Sequence, residues 1–260
     1  MLRSFSSEKK EKEGDLKEQA AKAEEEPERE KPLEPKAGLN RFLWDMRMFR
    51  PTLIPRAVFN EGTKEAPKVT PGTYQVRLTA AGQTLTENFE VRPHPKLAVT
   101  VADLKAQYDM LADIRDRLSE THTTVLKIRD MRRQVKDISE RAARLGKGDA
   151  LKKQADALSE KLTGVEEKLI NPQIKANEDD LNYTPKIDHD LTNLAAVVAS
   201  ADAKPTTACV KYYEDLKGRL SAVLAEYKQI QDHDVAEFNR AVDTTGLARV
   251  VAAPKIEATP

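Results

Sequence analysis

The chain is 260 residues long, and its 43 lysine and arginine residues balance 43 aspartate and glutamate residues to a formal net charge of +0. That balance excludes a strongly basic protein that binds nucleic acid or anionic lipid through its overall charge. Charged residues make up 33% of the chain and aromatic residues 5%. This composition is typical of long solvated helices and argues against a large β-barrel or a pocket-rich α/β enzyme.

No run of residues approaches the roughly 20 consecutive apolar positions that a membrane-spanning helix needs, so membrane insertion is not expected. The first seven residues include an arginine and serines, but charged, acidic sequence follows at once, without the apolar core of a secretory signal. We therefore expect no signal peptide in this chain. The single cysteine, Cys209, cannot form an intramolecular disulfide, so cysteine usage leaves the compartment open.

Residues 8–37 form a charged, low-complexity segment in which Leu16 and Leu33 are the only large aliphatic residues. Such a segment buries too little apolar area to offset the entropy of ordering its backbone. It is predicted to be a disordered loop, with an interaction tail as the alternative.

Alternating apolar residues predict β-structure in the next part of the chain. The alternation is seen first at Phe42, Trp44 and Met46, and again at Tyr74, Val76 and Leu78. The second run and residues 84–91 are predicted to pair as a half-buried antiparallel hairpin. The connection between the two runs is rich in proline and is predicted to be irregular. Together these segments predict a small β-sandwich over residues 38–95, where Pro93 and Pro95 end the domain.

Helical periodicity begins at Thr100, which forms a predicted capping box with Asp103. The apolar stripe that follows predicts one helix of about 45 residues. Its polar middle, residues 119–124, is the predicted position of a bend. Gly146 and Gly148 are expected to end it.

Four more helices are predicted. The second carries a heptad seam, and its members are Leu151, Ala155, Leu158, Leu162, Val165 and Leu169. The third and fourth open at Pro185 and Pro205, and Tyr212 is placed on the inward stripe of the fourth. Asp232 or Asp234 is expected to cap a short fifth helix. The predicted fold is α+β and multidomain: the sandwich, an up-and-down bundle over residues 96–253, and a disordered tail at residues 254–260.

The sequence favours no catalytic, cofactor or metal site. His94, His122, His189 and His233 lack the spacing of a ligand set, and Cys209 has no histidine near it to act as a base. The basic cluster Arg129, Arg132 and Arg133 is interpreted as a solvated helix face rather than a phosphate site. Trp44 and Tyr74 could stack on a sugar or form core, and with Arg47 they are the candidate contacts for a glycan or a protein partner.

The run Gly-Leu-Asn-Arg-Phe-Leu-Trp-Asp-Met-Arg at residues 38–47 and Pro-Gly-Thr-Tyr-Gln-Val-Arg-Leu at residues 71–78 resemble a known family. They are similar to the C-terminal region of bacterial sortilin-like, BNR-repeat β-propeller proteins, often labelled glycosyl hydrolase-like. The resemblance implies an immunoglobulin-like sandwich followed by a helical tail, with residues 1–7 as the N-terminal strand of the sandwich. It also implies a periplasmic or extracellular location. The propeller is absent here, so no catalytic residue of the family is carried onto this chain.

Three functions follow as hypotheses. The first is a noncatalytic accessory module that binds a β-propeller protein or domain, in cis or in trans. The second is a glycan-binding module serving a glycosyl hydrolase-like propeller. The third is an independent coiled-coil scaffold that forms homo-oligomers. In each of them the chain is expected to work without a cofactor and not to bind nucleic acid.

Overall fold

The computed structural model describes residues 2–7, 33–146 and 148–251. Most of the segment predicted to be a disordered loop, and the tail predicted at residues 254–260, lie outside the described residues. The described part of the chain is mainly helical and carries a single small sheet.

The helices are labelled in chain order. They are α1 (Val101–Arg144), α2 (Gly148–Leu169), α3 (Ile187–Ala199), α4 (Thr207–Gln229) and α5 (Ala236–Asp243). A 3-10 turn, Asp179–Leu181, precedes α3, and a π turn, Ile230–Val235, joins α4 to α5.

The capping box predicted for α1 is confirmed. The Thr100 hydroxyl accepts from the backbone N–H of Asp103 at 3.1 Å, and the Asp103 carboxylate accepts from the backbone N–H of Thr100 at 3.3 Å. These bonds satisfy backbone donors that the first helical turn leaves without partners.

The heptad seam of α2 is buried, as its spacing predicts. Its six residues are all 4% exposed or less, and α2 contacts α1, α4 and α5. The helices are also joined at their margins by ion pairs. Buried Glu166 of α2 accepts from Arg129 at 2.7 Å and from Arg132 at 3.0 Å, both on α1, so two arginines of the predicted solvated cluster face another helix.

Three details of the predicted helices are wrong. Tyr213, 4% exposed, occupies the inward stripe of α4, whereas Tyr212 is 42% exposed. Neither Asp232 nor Asp234 caps α5, because the π turn runs into this helix without a break. Finally, α1 continues without interruption through residues 119–124.

The predicted hairpin is confirmed and consists of β1 (Gly72–Ala80) and β2 (Gln83–Val91). The strands pair antiparallel from Gly72 with Val91 to Ala80 with Gln83. The predicted half burial is wrong, because most of the hairpin's residues are exposed.

The predicted immunoglobulin-like β-sandwich is wrong, since the described residues contain one two-stranded sheet. The run from Phe42 to Met46 forms no strand, and Met46 adopts a left-handed φ of 59°, which ends its extended alternation. In the described ranges this region makes one isolated bridge, between Arg47 and Lys68, and no further strand pairing. A strand-like pattern predicts an extended face, but it does not supply the neighbouring strands that a sandwich requires.

The N-terminal strand expected within residues 1–7 is also absent from the described residues 2–7. The contacts of this segment with residues 42–45 are made by side chains. Arg3 pairs with Asp45 at 2.9 Å, and the rings of Phe5 and Phe42 are 4.5 Å apart.

Residues 48–63 form a segment, called the strap below, that lies against α1 and α3. The backbone N–H of Thr52 donates to the Ser119 hydroxyl of α1 at 3.1 Å, and the N–H of Thr63 donates to the carbonyl of Thr192 in α3 at 3.1 Å. Ile54 joins the main hydrophobic core. The strap therefore connects the hairpin region to the helical bundle.

Gly62 of the strap approaches α3 closely. A Cβ atom at this position would overlap Oγ1 of buried Thr192 and lie 2.6 Å from the Cβ of the same residue. We expect Gly62→Ala to lower the free energy of unfolding by about 1 to 3 kcal/mol, because a packed helix must shift to admit the methyl group. Urea denaturation monitored by circular dichroism measures this change.

The matched control is Gly218→Ala in α4, where the added Cβ would meet nothing within 4 Å. Alanine is the better helix former, so this change should raise stability by up to about 1 kcal/mol. Equal effects of the two substitutions would contradict the close approach of Gly62 to α3.

Candidate interaction surface

The hairpin has two chemically distinct faces, because paired residues of antiparallel strands point to the same side. One face is polar, and two cross-strand side-chain hydrogen bonds join its strands: Gln75 with Asn88 at 3.3 Å and Thr79 with Thr84 at 3.0 Å. The other is apolar, and its cross-strand pairs are Tyr74 with Phe89, Val76 with Glu87, and Leu78 with Leu85.

The base of the apolar face is covered and its outer half is open. Tyr74 and Phe89 stack with centroids 5.9 Å apart, and Trp44 meets their rings edge-on at 6.5 and 6.1 Å. Among the described residues no ring covers the tip in the same way, and there Val76 is 52% exposed and Leu85 is 65% exposed. The outer half of the apolar face is therefore open within the described part of the chain.

The structure brings together the three residues that the sequence singles out. The Trp44 indole N–H donates to the carbonyl of Arg47 at 2.9 Å, and Trp44 packs on Tyr74. The Arg47 guanidinium donates to the carbonyl of Ala66 at 2.6 Å and lies 3.5 Å from Glu65. Half-buried Trp44 and Tyr74 therefore build the base of the hairpin, and Arg47 holds the Trp44 segment against residues 65–68.

A second exposed apolar stretch, residues 39–43, precedes Trp44. Leu39 and Leu43 are among the most exposed large apolar residues of the described chain. The next residue after Trp44, Asp45, anchors this stretch to the N-terminus. Partial burial opposes its ionisation, but the backbone N–H of Arg47 and the guanidinium of Arg3 hold the pKa of Asp45 below its usual value.

The two outer edges of the hairpin differ in charge. No third strand pairs with either edge within the described residues. β1 carries one charged residue, Arg77, which lies on the polar face, whereas β2 carries Glu87 and Glu90. Glu87 lies on the apolar face, and an inward-pointing charge is a device that discourages further strand pairing. The β1 edge is therefore the less protected of the two.

A separate polar cluster is sealed beneath the strap. His122 of α1 is fully buried, and its Nε2 lies 3.8 Å from Oδ2 of Asp188. Asp188 also lies 3.2 Å from Nδ1 of its neighbour His189. Phe59 of the strap covers both imidazoles, with centroids 6.0 Å from His122 and 5.0 Å from His189.

The spacing of the histidines in the sequence did not predict that His122 and His189 lie in one cluster. The usable signal was that His122 lies four residues after Leu118 and three before Val125, both on the buried stripe of α1. Burial lowers the pKa of His122 to about 4, although Asp188 acts in the opposite direction. The imidazole is therefore neutral at neutral pH.

The remaining candidates do not form a reactive site in the described part of the chain. Cys209 is half-buried, and its sulfur accepts from the Thr206 hydroxyl at 3.2 Å. Among the described residues no cluster of three or more histidine, cysteine or carboxylate side chains is arranged to hold a metal ion. None of the described helices combines the length and the apolar character needed to span a membrane.

Comparisons with protein-family models, with curated proteins and with solved structures found no match for this chain. The structural observations above are therefore the basis for its function.

Proposed function

We propose that this chain is a noncatalytic interaction module, in which the helical bundle is a stiff support and the apolar face of the hairpin binds another protein. The observation that carries the proposal is the open outer half of that face, formed by Val76, Leu78 and Leu85. An isolated two-stranded hairpin is only marginally stable in water. Covering its apolar face with a partner would stabilise both the hairpin and the complex.

The noncatalytic part of the proposal is supported by the place of the titratable groups. The arrangement closest to an acid–base site is His122 with Asp188 and His189, and all three side chains are buried. A general base must reach the proton that it abstracts from a substrate. In this arrangement Phe59 and the helices stand between the imidazoles and solvent.

The partner that we propose is a β-propeller protein, the class implied by the resemblance of residues 38–47 and 71–78. Propellers are built from four-stranded antiparallel blades with short outer edges. A blade strand could add to the outer edge of β1, which carries a single charge, Arg77. Main-chain hydrogen bonds would then supply affinity, and alternate side chains of the added strand would pack beside Val76 and Leu78 on the apolar face.

The test compares two double variants of β1 that differ only in the face they change. Val76→Thr with Leu78→Thr makes the apolar face polar, while Gln75→Thr with Arg77→Thr changes the polar face. Threonine favours strands in both cases. Binding to an immobilised, purified BNR-repeat propeller of the sortilin-like class is measured by biolayer interferometry.

The wild-type chain is expected to bind, and the apolar-face variant should bind at least about tenfold more weakly, because each lost apolar contact costs on the order of 1 kcal/mol. The polar-face variant should retain affinity within about threefold. Sedimentation velocity of the same proteins tests a second copy as occupant. If the wild-type chain self-associates without binding the propeller, and only the apolar-face variant loses self-association, the apolar face is an interaction surface but its partner is a second copy and not a propeller. Equal behaviour of all three proteins in both measurements would overturn the interaction module.

A further inference from the structure

The strap is held to α1 by a hydrogen bond that fixes the protonation state of His122. The backbone N–H of Ile54 donates to Nδ1 of His122 at 2.8 Å, and both residues are buried. An imidazole nitrogen that accepts a hydrogen bond carries no proton, so the proton of the neutral ring lies on Nε2. Within the residues that the structure describes, that atom has no hydrogen-bond partner, and it lies 3.8 Å from Oδ2 of Asp188.

Protonation of the His122 ring removes the acceptor of the hydrogen bond from Ile54. The imidazolium carries protons on both nitrogens and accepts none, so the Ile54 N–H would then face a second donor. An unsatisfied buried donor is costly because it has given up its hydrogen bonds to water. The strap can recover them for Ile54 only by moving away from α1.

The charged groups around His122 come from two helices. On α3, Asp188 favours the imidazolium and His189 opposes it, while Arg129 on α1 also opposes it. Removal of the ring from water is the largest effect, and together with His189 and Arg129 it outweighs Asp188, so the pKa of His122 is lowered to about 4 from an ordinary value of 6.5. The closed strap therefore excludes the proton in the range in which a solvated histidine takes it up.

We propose that His122 is an acid-sensitive latch: protonation of its Nδ1 by solvent breaks the hydrogen bond from Ile54 and releases the strap from α1. The bond made is Nδ1–H, and the bond lost is the Ile54 N–H to Nδ1 hydrogen bond. Because the strap joins the hairpin region to the bundle, its release would uncouple the surface formed by Val76, Leu78 and Leu85 from its support. The latch does not depend on the identity of any partner.

The direction of the pH effect follows from proton binding. Above about pH 6.5 both the closed and the open strap hold a neutral His122, so pH has no effect through this group. Between about 6.5 and 4 the open state binds a proton that the closed state excludes, so the ratio of open to closed should rise about tenfold for each unit of acidification. Below about 4 the ratio should become constant again.

The experiment is amide hydrogen exchange of the full chain between pH 7 and 4.5, resolved for the strap and for α2 and corrected for the intrinsic pH dependence of exchange. In the wild-type protein, opening of the strap should increase about tenfold per unit below pH 6.5 while α2 stays protected. In His122→Gln the amide oxygen can accept from Ile54 and does not titrate, so opening should be independent of pH. The control His233→Gln, at an exposed histidine of the π turn, should behave as the wild type does.

A strap whose opening in the wild type is independent of pH, or rises equally in His122→Gln, would overturn the latch. Should His122→Gln fail to fold, ¹⁵N chemical shifts of the imidazoles in the wild-type protein decide the question. The latch requires the Nε2–H tautomer of His122 at neutral pH and a change in the Ile54 amide shift that follows His122 protonation. The Nδ1–H tautomer, or titration of His122 without a change at Ile54, would overturn it.

Discussion

Replacing Leu162 by alanine is expected to lower the free energy of unfolding by about 2 to 5 kcal/mol. Leu162 is fully buried on the α2 seam, between Leu158 and Val165, which are also buried. The change removes apolar area from the core and leaves a cavity that helices packed on several sides cannot fill completely. Urea denaturation followed by circular dichroism at 222 nm measures the difference.

The control for this prediction is Leu181→Ala, the same chemical change at a residue 78% exposed in the 3-10 turn. It should alter stability by less than about 0.5 kcal/mol. If the two variants unfold at the same urea concentration, the α2 seam does not form the core of the bundle.

Replacing Phe59 by alanine is expected to cost about 3 to 5 kcal/mol. Phe59 is 8% exposed and covers His122 and His189 from the strap. Its loss removes a large apolar side chain and admits water to two buried imidazoles. The same urea titration measures the loss of stability, with tryptophan fluorescence of Trp44 as a second probe near the strap.

A phenylalanine of the same strap supplies the control. Phe49 is 39% exposed and lies beneath the guanidinium of Arg115, whose central carbon is 4.6 Å from the ring centroid. Phe49→Ala should cost about 1 kcal/mol, the value typical of a partly exposed cation–π contact. Equal costs for the two phenylalanines would show that Phe59 does not anchor the strap.

Phe59→Ala also has an expected effect on titration. Burial is the dominant cause of the lowered pKa of His122, so water entering the space left by the ring should move that pKa upward, toward 6.5. The pH-dependent rise in strap opening should therefore be smaller in this variant than in the wild type, and it should level off at a less acidic pH. An unchanged titration of His122 would mean that the helices alone seal the ring.

The helices and the hairpin were predictable because their patterns are local. The seam from Leu151 to Leu169 repeats at heptad spacing, and Thr100 with Asp103 is a complete capping signal within four residues. The alternation of Tyr74, Val76 and Leu78 likewise predicted one strand of the hairpin and its apolar face. In each case the residues that carry the signal belong to the element that they form.

The predicted sandwich is wrong because alternating apolar residues indicate one apolar face of a segment and do not show which element packs on that face. Phe42, Trp44 and Met46 have the spacing of a strand, yet a strand exists only where a neighbour completes its hydrogen bonds. Trp44 instead packs its ring on Tyr74 and Phe89. Trp44 and Tyr74 thus meet, but in a fold different from the predicted sandwich.

By itself, the sequence determined where α1 begins, which side of α2 is buried, and that β1 and β2 pair. It did not determine where α5 begins, because the π turn runs into that helix without a side-chain cap. The tertiary structure alone decided the environment of His122. Residues 119–124 are polar and predicted a bend, but the strap, about 68 positions earlier in the chain at its Ile54 contact, covers them and provides Nδ1 of His122 with its donor. Local periodicity carries no information about such a contact, because the energy of a buried polar group depends on partners that only the folded chain brings near.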